Sequence, residues 1–158
     1  MDTAREMEMT PGGKDERKRV VDLLAHADRA ELSAPWENLQ PKPEMYPVRG
    51  PETGLVMVRG RIGGGGAPFN LGEVTVSRAT VRLASGAIGH GQSLGTDREK
   101  AKLAAIFDAL WQQPETRDFV ENRVLAPVCA RIEQHKHRNA EEAAATRVDF
   151  FTMVRGDD

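Results

Sequence analysis

Cysteine is almost missing from this chain: Cys129 is the single one among 158 residues. One thiol forms no internal disulfide and supplies no thiolate cluster for structural zinc or iron-sulfur. Aromatic residues are also scarce, at 5%. The core must therefore be built from Val, Leu, Ile and Ala, and the few Phe and Trp positions gain weight. Neither charge sign dominates, with 22 Lys and Arg against 24 Asp and Glu. That balance lacks the basic excess or basic stripe of a nucleic-acid binder. No run approaches the roughly 18 apolar residues of a membrane helix, and the opening "MDTAREMEMTPGGK" carries charges where a signal peptide needs an apolar segment. These absences imply a cytoplasmic protein that engages neither nucleic acid nor membrane.

What is present suffices for one folded domain. Hydrophobic residues make up 39%, and glycine adds 15 more positions. Together they give the usual apolar share of a globular chain. The segment "KDERKRVVDLLAHADRAEL" sets Val20, Leu23, Leu24 and Ala27 at helical spacing opposite Lys14, Arg17, Lys18 and Asp28. Ser33 fits the N-cap of a short second helix holding Trp36 and Leu39. Pro41, Pro43, Pro47 and Pro51 exclude helix until "GLVMVRGRIG" reads as a strand. "EVTVSRATVRL" and "AIGHGQSLG", divided by "ASG", predict a further hairpin. In the first of these Val74 and Val76 share parity with Arg78, Thr80 and Arg82, whereas Val81 and Leu83 are apolar on the opposite parity, so a bulge or bend near Arg78 is expected. Thr96 and Glu99 have capping-box spacing before a helix with a stripe of Leu103, Ile106, Phe107, Leu110 and Trp111. A last helix, "VCARIEQHKHRNAEEAAA", leads to a closing strand, "RVDFFTMVRGDD". The expected fold class is α+β: an antiparallel sheet of about four or five strands packed by helices, with an N-terminal helix and a C-terminal strand.

Four glycines in a row, Gly63 to Gly66, raise the question of a phosphate loop. A P-loop and a dinucleotide fingerprint both open a helix, whereas this run leads through Ala67, Pro68 and Phe69 into a strand. A flexible hairpin connection is favoured. Arg59 and Arg61 share one face of the first strand, and Arg78 and Arg82 share one face of the next. A hairpin could gather the four guanidinium groups around phosphate or phosphonate oxygens; the alternative is the wet face of a half-covered sheet. His90 stands between Gly89 and Gly91, where backbone could approach a ligand closely, and is the best single candidate for phosphate contact or acid-base chemistry. His135 and His137 point to different sides of one helix, so no metal site emerges. Cys129 is expected to be a buried, inert thiol. Near the C-terminus Val148, Phe150, Phe151, Met153 and Val154 place apolar side chains on both parities of one strand. A strand sandwiched against another surface fits that pattern, which makes these five residues interface candidates.

Taken together, "RVDFFTMVRGDD", "SRATVRLASGAIGHGQSLGTDREKA", "FDALWQQ" and "ETGLVMVRGRIGGGGAPFNLGE" resemble the PhnG family, the small G subunit of the bacterial carbon-phosphorus lyase system. The resemblance runs over about residues 15 to 158. It implies a single domain over 14–158, and the charged opening over 1–13 is expected to be a disordered extension. It also implies partner subunits of the PhnH, PhnI and PhnJ types, and a shared reaction in which a phosphonate displaces adenine from MgATP to give ribose 1-methylphosphonate 5-triphosphate. An iron-sulfur cluster and S-adenosylmethionine then belong to the J-type partner, and no cofactor to this chain. No catalytic residue is carried over. The expectation is a structural and assembly subunit. One alternative is a direct contributor of phosphate-binding or acid-base residues to a shared active site; another is a stand-alone phosphonate- or nucleotide-binding protein. Self-association of the isolated chain through its partner surface is a further expectation.

Overall fold

The computed structural model describes residues 11–145. Helix α1 (Pro11–His26) precedes α2 (Arg29–Asn38). The strands follow as β1 (Met45–Arg61), β2 (Pro68–Leu83) and β3 (Ile88–Leu94). Then come α3 (Arg98–Trp111), α4 (Pro114–Val120), one π-helical turn (Glu121–Leu125) and α5 (Ala126–Ala145). The sheet is antiparallel in the order β1-β2-β3. The class is α+β as expected, but the described residues hold three strands rather than four or five. The predicted closing strand, with its five interface candidates, lies outside the described residues. Helix α1 begins at Pro11, three residues before the expected start at Lys14, since proline suits a first helical turn.

Helix α3 is the centre of the molecule. The expected stripe is buried, but so are Ala101, Ala104, Ala105, Asp108 and Ala109. A helix covered on every side has no polar face to keep. The sheet packs on one side of it and α1, α2 and α4 on others. From β2 it receives Ala79, Val81 and Leu83; Val20, Leu24, Ala27, Leu32, Val120, Val124, Leu125 and Val128 complete the core. Among the described residues no buried side-chain polar atom lacks a partner. None of the described helices is long and apolar enough to cross a membrane.

Several local expectations change. Asp28, not Ser33, opens α2: its backbone N–H donates to Glu31 Oε2 at 2.8 Å. This earlier reciprocal pairing leaves Ser33 and Pro35 inside the helix. Asp97 rather than Thr96 caps α3, its carboxylate accepting the Lys100 N–H at 2.9 Å, as a short acidic side chain at that position is suited to do. Strand β1 starts nine residues earlier than expected and contains Pro47 and Pro51. As an edge strand it tolerates them, with register irregularities between Pro47 and Arg49 and between Arg49 and Glu52. β2 stays regular through Arg78, so the predicted bulge belongs to β1, opposite Arg78 and Thr80. Cys129 is half-buried, its Sγ 3.8 Å from Glu133 Oε1, and not enclosed in the core.

Candidate functional site

The outward face of the sheet follows from strand parity. In β2, Ser77, Ala79, Val81 and Leu83 turn into the core, so Arg78, Thr80 and Arg82 turn out. Register then sets their neighbours. Thr80 lies between Arg49 of β1 and His90 of β3, and Arg78 lies between Glu52 and Gln92. Ordinary pleating would put Arg49 and Glu52, three apart, on opposite faces; the irregularity between them removes that separation. Arg49 and Arg78 meet at the Glu52 carboxylate, where Oε1 accepts from Arg78 Nε at 2.7 Å and forms an ion pair with Arg49 Nε at 3.0 Å. Thr80 Oγ1 and His90 Nδ1 lie 3.2 Å apart. Arg49, Arg78, Thr80, His90 and Gln92, together with Val21 of α1, line a recess of about 280 Å³.

The four candidate arginines are not brought together. Arg59 pairs with Asn70 and Arg61 with Pro68 at the far end of the β1–β2 hairpin. Asn70 is eight residues from Arg78 along β2. At the rise of an extended strand that separation is roughly 27 Å. Arg78 and Arg82 share the outward face at the base of the hairpin but lie four residues, about 14 Å, apart along β2. Arg82 lies over the Tyr46 ring at 6.0 Å, and the Tyr46 hydroxyl donates to Glu44, a bond that holds its pKa above the ordinary range. The glycine run is the hairpin tip, a short 3₁₀ turn with Gly63 at φ 60° and Gly64 at φ 76°. No helix of the phosphate-binding kind begins there, since the chain passes directly into β2.

His90 keeps its place on the outward face, but its glycine neighbours serve a different purpose from the one expected. A Cβ on Gly89 would overlap the Ala105 carbonyl oxygen and the Ala109 nitrogen of α3, and one on Gly91 would overlap the Ala101 oxygen and Ala105 nitrogen. They admit a helix, not a ligand. The His90 backbone N–H donates at 2.8 Å to Asp108 Oδ2, the same oxygen that receives Arg17 Nη2 at 2.8 Å. Arg17, expected on the wet face of α1, thus reaches inward.

Beyond the three-stranded part, the β1–β2 hairpin continues as a two-stranded arm. Among the described residues, seven of the eleven exposed large apolar side chains lie on it: Leu55, Val56, Met57, Ile62, Phe69, Leu71 and Val74. Leu55 is 65% and Leu71 62% exposed. β3 ends opposite Val76, and β1 has no second strand neighbour among the described residues. Within the described fold, both edges of this ribbon are therefore unpaired along the arm.

Sequence reasoning found Arg78, Arg82 and His90 but missed Arg49, Glu52, Thr80 and Gln92, whose meeting depends on cross-strand register and a bulge. Asp108 left a readable signal, a lone carboxylate within "AAIFDALW". Among the described residues no three His, Cys, Asp or Glu side chains are grouped so as to hold a metal ion.

Comparison with known proteins places this architecture. The family model described as "Phosphonate metabolism protein PhnG" matches residues 15–156. A relative from Rhizobium meliloti (strain 1021), named alpha-D-ribose 1-methylphosphonate 5-triphosphate synthase subunit PhnG, is 62% identical over 146 residues. The match covers 92% of this chain and 93% of the relative.

Proposed function

Since this chain belongs to the PhnG family of phosphonate metabolism, we propose that it is the structural and assembly subunit of a ribose 1-methylphosphonate 5-triphosphate synthase. The observation that supports an assembly role is the apolar arm. Monomeric soluble proteins rarely leave large apolar patches open, and an unpaired ribbon edge invites pairing with another chain. Leu55, Met57, Phe69 and Leu71 contribute nothing to the core of the described residues, as befits a surface kept for another subunit.

The partners in this reading are PhnH-, PhnI- and PhnJ-type subunits, working in the cytoplasm. MgATP and methylphosphonate are substrates of the assembly, and the iron-sulfur cluster and S-adenosylmethionine are held by the J-type partner. Size exclusion with light scattering, on the chain alone and co-expressed with those three subunits, tests the proposal. Co-elution in one large species is expected. A chain that stays a separate monomer in their presence would overturn it.

A further inference from the structure

The outward recess carries a second inference, independent of the arm. Glu52 approaches each flanking arginine most closely at Nε. Among the described residues the Nη ends of Arg49 and Arg78 make no hydrogen bond, although the two guanidinium groups are tethered by a common carboxylate. The Arg49 and Arg78 side chains are 54% and 58% exposed. Two arginines against one carboxylate leave a net positive charge. Across the same face, Thr80 offers a hydroxyl, His90 its remaining ring nitrogen and Gln92 an amide, drawn from β2 and β3, whose mutual register fixes their spacing. Guanidinium forks flanked by hydroxyl, imidazole and amide donors match the oxygens of a tetrahedral anion.

We propose that Arg49, Arg78, Thr80, His90 and Gln92 form a binding site for a phosphorus oxyanion, a phosphonate or a phosphate group of a polyphosphate chain. The proposal rests on the family reading only for the choice of phosphorus as the central atom. Arg17 is excluded from the donor set because its charge is matched by Asp108. Lys14, Lys18 and Asp22 of α1 border His90 from the other side, two positive charges against one negative. Val21 gives the recess an apolar wall, against which a phosphonate's carbon substituent can rest. Arg59 and Arg61, at the arm's tip, take no part.

Amide NMR of the full chain, titrated separately with methylphosphonate, inorganic phosphate, tripolyphosphate and acetate, tests this. Saturable shifts confined to residues 49–52, 78–82 and 88–92 are expected with at least one phosphorus oxyanion, and weaker ones with acetate. Methylphosphonate and tripolyphosphate compete for different reasons, so whichever binds more tightly identifies the end of the substrate that is held. Arg49→Gln with Arg78→Gln should weaken binding on the order of tenfold or more, as expected for losing charge-assisted bonds. Arg78→Lys, which keeps the charge but not the fork, should fall between, and Lys136→Gln on α5 should change nothing. Shifts spread over all cationic surface, equal loss in the α5 variant, or acetate binding as tightly as phosphate would overturn the site. So would arginine variants that bind oxyanions normally, or variants that bind none and dissociate from the partner subunits. In that last case the face is a protein contact, and the subunit reading stands without it.

Discussion

Arg17 and Asp108, ninety-one residues apart, are joined by two hydrogen bonds: Nε to Oδ1 at 3.1 Å and Nη2 to Oδ2 at 2.8 Å. Asp108 is fully buried within α3, and Arg17 also donates from Nη2 to the Ile88 carbonyl oxygen at 3.1 Å. One arginine thus fastens α1 to both the central helix and the open edge of β3. Replacing it strands a carboxylate in the core with only the His90 N–H for company. Arg17→Met should cost about 3 kcal/mol, whereas Arg17→Met with Asp108→Asn should recover much of it because the isolated charge is gone. Urea unfolding of the three proteins measures this, and equal losses in the single and double variants would contradict the account.

The glycines beside His90 give a second expectation. Gly91→Ala pushes a methyl group into the backbone of α3, which cannot yield as a side-chain tip would. A loss of about 3 kcal/mol or more is expected from overpacking. At Gly54, by contrast, an added Cβ meets nothing within 4 Å. Gly54→Ala should stay within about 0.5 kcal/mol of the parent. Thermal unfolding of both variants separates a close-packing requirement from a general aversion to alanine in strands.

Stability should also depend on acidity through Glu31. Arg131 donates to both its carboxylate oxygens, from Nε at 2.8 Å and Nη2 at 2.9 Å. That hydrogen bonding holds the Glu31 pKa below its ordinary value of 4.5, against the opposing pull of burial. A depressed folded-state pKa stabilises fully above the unfolded value and loses that contribution as pH falls through the folded one. Glu31→Gln should therefore cost about 1 kcal/mol at neutral pH, allowing for solvent around Arg131. The difference from the parent should shrink as pH drops below 4.5. A gap that persists unchanged in acid would assign the pair no electrostatic role.

For the arm, neither Leu55 nor Leu71 is buried among the described residues. Leu55→Ser with Leu71→Ser should leave the isolated chain's stability within about 0.5 kcal/mol of the parent. Co-elution with the partner subunits should be lost or sharply weakened, because interface energy concentrates in a few apolar anchors. Normal assembly of this double variant would remove the arm from the proposed contact.

The elements most legible in the sequence were those whose periodicity is local. The stripe from Leu103 to Trp111 and the β2–β3 hairpin around Gly86 could be read directly, because each is decided within a short window. Helix starts were displaced by competition among nearby caps, Asp28 over Ser33 and Asp97 over Thr96. The grouping of the arginines failed for another reason. Parity told which residues share a face, but not that the hairpin is long enough to carry Arg59 far from Arg78. Arg49 and Glu52 were hidden because a bulge reverses parity, and bulges leave no dependable mark in a single sequence. Arg17 looked like a wet-face residue until Asp108, on a distant helix, supplied its counter-charge.

The arm divides the chain into positions that answer to different judges. A change at Gly91 or Asp108 is tested whenever this protein folds alone, while a change at Leu55, Phe69 or Leu71 is invisible until another subunit arrives. Among relatives, core positions should therefore vary in step with one another, and arm positions in step with residues on a separate chain. The ribbon is in that sense a part of this protein whose history is written jointly with its neighbour's.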